Sequence, residues 1–361
     1  MKLQIDILPR LLHFKQPAGT SRGVLTTRRI WYVRVAQPGT GRRPDETMLT
    51  AELQTLSSTA APPAGWGECA PLPGLSCDDV PHYELVLREA CRRMEDSGEL
   101  PDSLLGDFPS IRFGLETAMQ NFRAGGGWHL WNSPFARGEE GITTNGLVWM
   151  GTFDEMYARI EEKMKTGFHC IKLKIGAIDF ERELALLAFI RRHFTPEQIE
   201  LRVDANGAFT PADAPKKLER LASYTLHSIE QPIRAGQWDE MARLCRTSPL
   251  PIALDEELIG VNDPQRKAVL LDIIRPQYII LKPSLHGGIR GAEEWMGLAR
   301  ERGIGSWVTS ALESNVGLNA IAQWCATLRP SMPQGLGTGL LFTDNIDSPL
   351  TLKGEKLWFN P

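Results

Sequence analysis

The spacing of apolar residues along the chain changes character near Gly125-Gly126-Gly127. Upstream, Ile30-Trp31-Tyr32-Val33-Arg34-Val35 concentrates β-branched and aromatic side chains and predicts a strand. Thr47 to Thr55 is expected to be its partner, across a loop marked by Gln37-Pro38-Gly39-Thr40-Gly41. Gly65-Trp66-Gly67-Glu68-Cys69-Ala70-Pro71-Leu72-Pro73-Gly74 reads as a second loop, rich in Gly and Pro. Residues 81–97 and 109–124 read as helices; in the second, Ile111, Leu115, Ala118, Met119 and Phe122 recur at helical period after Pro109. Strands followed by helices predict an α+β domain.

Downstream, short apolar runs alternate with helical stretches. The runs are 147–149, 171–175, 199–204, 226–230, 251–255, 278–282 and 305–309. Helical stretches include 153–166, 180–193, 212–222, 238–246, 290–302 and 315–328. Seven strand-then-helix units argue for a parallel sheet, and their beat of about 26 residues suits a (β/α) barrel. A doubly wound open sheet is the alternative, although no G-x-G-x-x-G follows an early strand. The length agrees: 361 residues at ~150 per domain gives about 2.4, a large barrel with an appendage. The expected divisions are an α+β domain over 1–130 and a barrel over 131–335.

Charge narrows the partners. Lys and Arg number 40 against 44 Asp and Glu, a net charge of −4 spread evenly, so no nucleic-acid or anionic membrane surface is expected. The doublets Arg28-Arg29, Arg42-Arg43, Arg92-Arg93 and Arg191-Arg192 are scattered and read as solvated faces. No run of ~18 apolar residues predicts a membrane span, and the start, with Asp6 in it, does not read as a secretory signal. Six cysteines without a C-x-x-C pair predict reduced, mostly buried thiols and a cytoplasmic location. Oligomeric state is open.

The candidate chemistry lies at the ends of the predicted strands. Lys174, Asp204, Glu230, Asp255 and Lys282 follow one another at intervals of 30, 26, 25 and 27 residues, one β/α unit each. A single charge at a strand end is ordinarily exposed rim. Five in register would converge on one barrel mouth, where active sites occur. Three carboxylates gathered there without compensation would be costly, and a divalent cation removes that cost. Three hard oxygen ligands suit Mg²⁺, with Mn²⁺ as a substitute, and leave positions for water or substrate. No His/Cys cluster has zinc spacing. Lys172 and Lys174, two apart on one strand, face the same way: outward on an exposed strand, or together into a barrel lumen. Near a cation and a second lysine, an ammonium is pushed toward its neutral form and becomes a competent general base.

The strings Ile171-Lys172-Leu173-Lys174-Ile175-Gly176, Val203-Asp204-Ala205-Asn206-Gly207, Ile229-Glu230-Gln231-Pro232, Ala253-Leu254-Asp255-Glu256 and Leu281-Lys282-Pro283-Ser284 resemble the enolase superfamily on its muconate-lactonizing side, across nearly the whole chain. The resemblance implies an α/β fold, a modified (β/α)7β TIM-type barrel with an α+β capping domain, and a C-terminal segment, 336–361, returning to the cap. Pro17 to Gly23, Asn145 to Gly151, Ser310 to Leu318 and Gly335 to Gly339 are most similar to members that dehydrate 2-succinyl-6-hydroxy-2,4-cyclohexadiene-1-carboxylate to o-succinylbenzoate in menaquinone biosynthesis. It implies Asp204, Glu230 and Asp255 as Mg²⁺ ligands, Lys174 as base, Lys282 as charge stabiliser and Lys172 as its tuner, with Asn206 and Glu256 behind the ligands. It implies substrate contacts from Thr20, Ser21 and Arg22 in a covering loop, helped by Glu68 to Leu75, and from Ser310 and Gly335. Racemisation of N-acylamino acids or epimerisation of dipeptides uses the same two lysines and stays open. A non-catalytic relative would have lost a ligand or a lysine. Glu257, where relatives often carry Ser, has no assigned place.

Overall fold

A computed structural model describes residues 2–20, 23–39, 43–56, 64–338 and 341–361. Strands β1 (Gln4–Thr20) and β2 (Gly23–Ala36) pair antiparallel, α1 (Glu46–Gln54) follows, and β3 (Ala64–Cys69) lies along the other edge of β2. Helices α2 (Tyr83–Ser97) and α3 (Pro109–Arg123) cover one face of this sheet. Trp31, Val33 and Val35 pack against them, while Ile30 and Tyr32 face the larger core. Both faces of β2 are covered, so its apolar run is continuous rather than alternating.

Two expectations fail here. Residues 47–54 lie in α1, with Thr55 as its C-cap, and not in a strand: the Asp45 side chain accepts the Met48 N–H at 3.0 Å as an N-cap, Thr50 and Thr55 hydroxyls turn back to carbonyls four residues earlier, and Leu49 and Leu53 bury one face. The Gly-rich stretch from 65 is a strand up to Cys69. Its glycines serve contact, since a Cβ at Gly65 would lie 2.1 Å from the Ala118 carbonyl oxygen and one at Gly67 2.0 Å from that of Gly114. Only a bare backbone lets α3 lie this close to β3.

After β4 (Ile142–Thr143), strands and helices alternate as β5 (Gly146–Val148), α4 (Phe153–Thr166), β6 (Cys170–Lys174), α5 (Phe180–His193), β7 (Glu200–Asp204), α6 (Ala214–Ala222) and β8 (Ser228–Glu230). They continue as α7 (Trp238–Thr247), β9 (Ile252–Leu254), α8 (Pro264–Ile274), β10 (Tyr278–Leu281), α9 (Gly288–Glu301), β11 (Gly305–Val308) and α10 (Asn315–Thr327). Strands β5 to β11 form one parallel sheet in sequence order. Local signals start these helices: Thr152 and Glu155 make a capping box on α4, and Asp179, Asp263 and Ser314 cap α5, α8 and α10.

The two edges of this sheet meet a common segment. Gln334 bridges Thr144 beside β5, and Gly335 bridges Thr309 beside β11. The Gly335 N–H donates to the Val308 carbonyl, and the Gln334 N–H to that of Thr143, both at 2.8 Å. Further on, residues 341–344 run beside β1, with the Phe342 ring centroid 4.5 Å from that of Phe14 and the rings tilted at 45°. Then β12 (Leu350–Lys353) and β13 (Lys356–Phe359) form a hairpin on β4. Among the described residues no helix is long and apolar enough to cross a membrane. All six cysteines are free; Cys77 alone of them is exposed.

Candidate active site

Parallel register aligns the charged strand ends. Lys174 lies opposite Asp204 between β6 and β7, and Asp204 opposite Glu230 between β7 and β8. Ile171, Leu173 and Ile175 are buried against the helices, so Lys172 and Lys174 point to the other side of the sheet, into the carboxylates. Asp255 follows β9 directly and opens a short 3-10 turn over Glu256–Leu258. Asp204, Glu230 and Asp255 are all buried, and one oxygen from each lies within 4.8 Å of the others.

The lysines are interleaved with these acids. Lys174 Nζ donates to Asp204 Oδ2 at 2.5 Å and to Asn206 Oδ1 at 2.9 Å. Lys172 Nζ donates to Glu230 Oε2 at 2.6 Å and lies 3.1 Å from Asp204 Oδ2. Lys282 Nζ, after β10, donates to both oxygens of Asp255, at 2.6 and 2.5 Å. Burial acts against every charge here, but its rivals differ. Burial raises Asp204, yet Lys174 and Lys172 prevail and hold it far below the carboxylate range. Burial takes Glu230 up to about 7, since Lys172 is offset by Asp204 and Asp255. Burial lowers Lys172 and Lys282, but Glu230 and Asp204 outweigh it for the first, Asp255 and Glu256 for the second, and both pKa values rise. The carboxylates are thus the partners that decide the charge of Lys172 and Lys282.

Asn206 and Glu256 lie one layer out. Asn206 takes a left-handed φ of 44°, and its amide spans the cluster, accepting from Lys174 and donating to Glu256 Oε1 at 2.8 Å. In this cluster two carboxylate oxygens, Glu230 Oε1 and Glu256 Oε2, are buried without a hydrogen-bond partner. Burial, with Asp255 and Asp204, raises Glu256 to about 7.

A cavity of roughly 950 Å³, counted with its open mouth, lies over the cluster and exposes Lys172, Lys174, Asn206, Glu256 and Lys282 at its floor. Leu72, Pro73 and Leu75 line it, whereas Glu68 does not. Glu68 sits on β3 and turns away to the start of α10, accepting the N–H groups of Ser314 at 2.9 Å and Gly317 at 2.8 Å and the Ser314 hydroxyl at 2.5 Å. Glu313 likewise accepts from the Ser284 hydroxyl and the Ala311 N–H, at 2.5 and 2.7 Å. The buried Arg28 guanidinium donates to the carbonyls of Ala70 and Ala311. This network backs the cavity wall at Ser310–Leu312. Ser310 and Gly335 both line the cavity, with the Ser310 hydroxyl 2.5 Å from that of Thr338. Ser21 and Arg22 lie outside the described residues, and Thr20 ends β1 with its side chain outside them.

Leu25, which no sequence signal singled out, also lines the cavity, as do Asn145, Leu147, Trp149 and Thr338 from the stretches that carry the resemblance, none of which was given a substrate contact. A signal for Leu147 existed, since it stands 27 residues before Lys174, one beat earlier in the same register. His286 had none. Its Nδ1 accepts the Lys282 N–H at 3.0 Å, and burial, with Lys282 and Lys267, keeps the ring neutral.

A sequence model described as enolase C-terminal domain-like matches residues 155–355. The chain is 51% identical over 359 residues to the o-succinylbenzoate synthase of Desulfotalea psychrophila, covering 96% of each. The crystal structure of MenC from Desulfotalea psychrophila superposes with a TM-score of 0.81 at 43% identity, over 99% of this chain and 100% of that one. The L-Ala-D/L-Glu epimerase of Bacillus subtilis, in a substrate-liganded complex, superposes at 0.76 with 21% identity over 99% and 96% of the two chains, a likeness of fold alone.

Proposed function

The chain belongs to the enolase C-terminal domain-like family, and from that premise we propose that it is an o-succinylbenzoate synthase, dehydrating 2-succinyl-6-hydroxy-2,4-cyclohexadiene-1-carboxylate to o-succinylbenzoate in menaquinone biosynthesis. The observation that carries this reading is the 51% identity to the Desulfotalea synthase across 96% of both chains. In our reading residues 1–130 are an α+β cap, 131–335 a modified (β/α)7β TIM-type barrel and 336–361 a tail returning to the cap. The bridges from Gln334 and Gly335 to the two edge strands support an eighth, minimal strand at that point. We place the enzyme in the cytoplasm, in keeping with six free thiols.

Asp204, Glu230 and Asp255 would hold a divalent cation, Mg²⁺ with Mn²⁺ as a substitute. The donor set fits: three hard carboxylates converge, and Glu230 Oε1 is a buried acceptor without a partner. Such a cation supplies positive charge against the negative charge that develops on a substrate carboxylate when the adjacent carbon loses a proton.

Lys174, in its neutral form, takes that proton. The ammonium then hands it to the departing hydroxyl, so one water leaves and the ring becomes aromatic. Asn206 and Asp204 orient Lys174 through the two bonds it already makes. Lys282 stands on the far side of the carboxylates in strand order, keeps its charge, and stabilises the developing anion with cation–π attraction to the ring. Lys172 holds Glu230 and tunes Lys174, and Glu256 steadies Asn206. Thr20, Ser21 and Arg22 would cover the mouth and exclude water, while Ser310 and Gly335 offer polar groups to the succinyl tail.

A substrate comparison tests the reading. Purified protein with Mg²⁺ is given the cyclohexadiene acid and, separately, N-succinyl amino acids in D₂O. Dehydration is the expected result. Lysines at both ends of the carboxylate row make racemisation the competing outcome, seen as deuterium exchange without dehydration.

A further inference from the structure

Asp255 and Glu256 face the mouth, but Glu257 turns the other way and is buried at 3% exposure. Its Oε1 accepts the Gly236 N–H at 2.7 Å, its Oε2 accepts the Gln231 side-chain amide at 3.0 Å, and the Trp238 side chain donates a further bond. Gln231 is the residue directly after Glu230. Its amide oxygen accepts the N–H groups of Asp255 and Glu257, both at 3.2 Å, and its NH₂ donates to Ile233 as well as to Glu257. All four of its side-chain hydrogen-bonding positions are used. Gln231 is also held at φ 36°, a left-handed conformation that a residue with a side chain keeps only when its surroundings over-determine it.

These bonds join two segments that share no covalent reason to stay in step. Glu230 ends strand β8 and Asp255 follows strand β9, 25 residues later. We propose that Glu257 is a positioning residue for the cation site: by locking the Gln231 amide it fixes the separation of the Glu230 and Asp255 carboxylates. The proposal rests on the reading of Asp204, Glu230 and Asp255 as cation ligands. Glu257 touches neither substrate nor cation; it acts through Gln231. Outer partners of this kind set ligand geometry, and their loss costs roughly 10–100-fold in metal affinity.

The test is a titration of the full chain with Mn²⁺ alone, without substrate. Glu257→Gln keeps the volume but turns an NH₂ toward either the Gly236 N–H or the Gln231 NH₂, donor against donor. The expected result is a rise in the Mn²⁺ Kd of about tenfold or more, with kcat recovering as Mg²⁺ is raised. Lower thermal stability with an unchanged Mn²⁺ Kd would mean a merely structural role and overturn the proposal. Should Glu257→Gln not fold, Trp238→Phe decides, because it removes one donor only: a Kd raised about threefold supports the proposal, an unchanged one overturns it. Glu230→Gln runs beside them. If it too leaves the titration unmoved, the ligand reading has failed and the proposal goes with it. If it weakens binding while the other variants do not, only the positioning role has failed.

Discussion

Two groups of buried carboxylates lie on either side of one cavity wall, and they are completed differently. Behind the wall, Glu68 and Glu313 have every oxygen matched by a backbone N–H or a hydroxyl, with Arg28 nearby as counter-charge. At the mouth, lysines match Asp204 and Asp255, but Glu230 Oε1 and Glu256 Oε2 accept nothing. Burial is nearly equal in the two places. Behind the wall the carboxylates are finished structure, whereas the unmatched oxygens at the mouth, gathered beside three converging carboxylates, leave room for a ligand to complete them.

The comparison can be broken, most forcefully at the mouth. Replacing Lys174 with Ala should abolish turnover, by at least ~10²–10⁴-fold as for other acid–base groups, while circular dichroism and metal titration stay nearly unchanged. Retained turnover would remove Lys174 from the proton transfer. Replacing Glu230 with Gln should weaken Mg²⁺ binding and activity together, by about 10²-fold; calorimetric titration checks this, and an unchanged isotherm would strike Glu230 from the ligands. Behind the wall the signs reverse. Glu68→Gln should leave metal affinity alone and cost ~2–4 kcal/mol of stability in denaturant unfolding, because an NH₂ would face the donors at the start of α10.

The smallest effect sharpens the contrast through pH. Glu116 on α3 accepts the N–H groups of Ile289 and Arg290, at 2.6 and 3.4 Å, where α9 begins. Burial raises it to about 7 against the pull of Arg112. The folded chain therefore keeps a proton that the unfolded chain releases, and the group's contribution to stability is full below the ordinary carboxylate range and lost as pH rises through 7. Glu116→Gln should flatten that decline; equal slopes in unfolding midpoints at pH 5 and pH 7 for both proteins would show that Glu116 does not produce it.

Much of this was legible in the sequence because one periodicity carried it. The strand-to-strand beat found all seven strands of the parallel sheet, and helices 153–166 and 180–193 fall where the pattern put them. The five charged strand ends are gathered as the beat implied. What escaped depends on partners distant in the chain. Gly65 and Gly67 look like loop residues until α3 is laid over them. Thr47, Thr50 and Thr55 favour a strand locally, yet the Asp45 cap and the burial of Leu49 and Leu53 decide for a helix. Glu68 and Glu257 are plain acids in sequence; their partners, Ser314 and Gln231, are known only from the fold.

The bridges made by Gln334 and Gly335 bear on how the chain is synthesised. Thr144 waits 190 residues for Gln334. At 5–20 residues per second that is roughly 10–40 s, during which the outer edge of β5 has no neighbour of its own. An unpaired edge invites pairing with other nascent chains. Strand β5 spans only Gly146–Val148 and begins on a glycine, so this edge, open for much of translation, is poorly able to template aggregation.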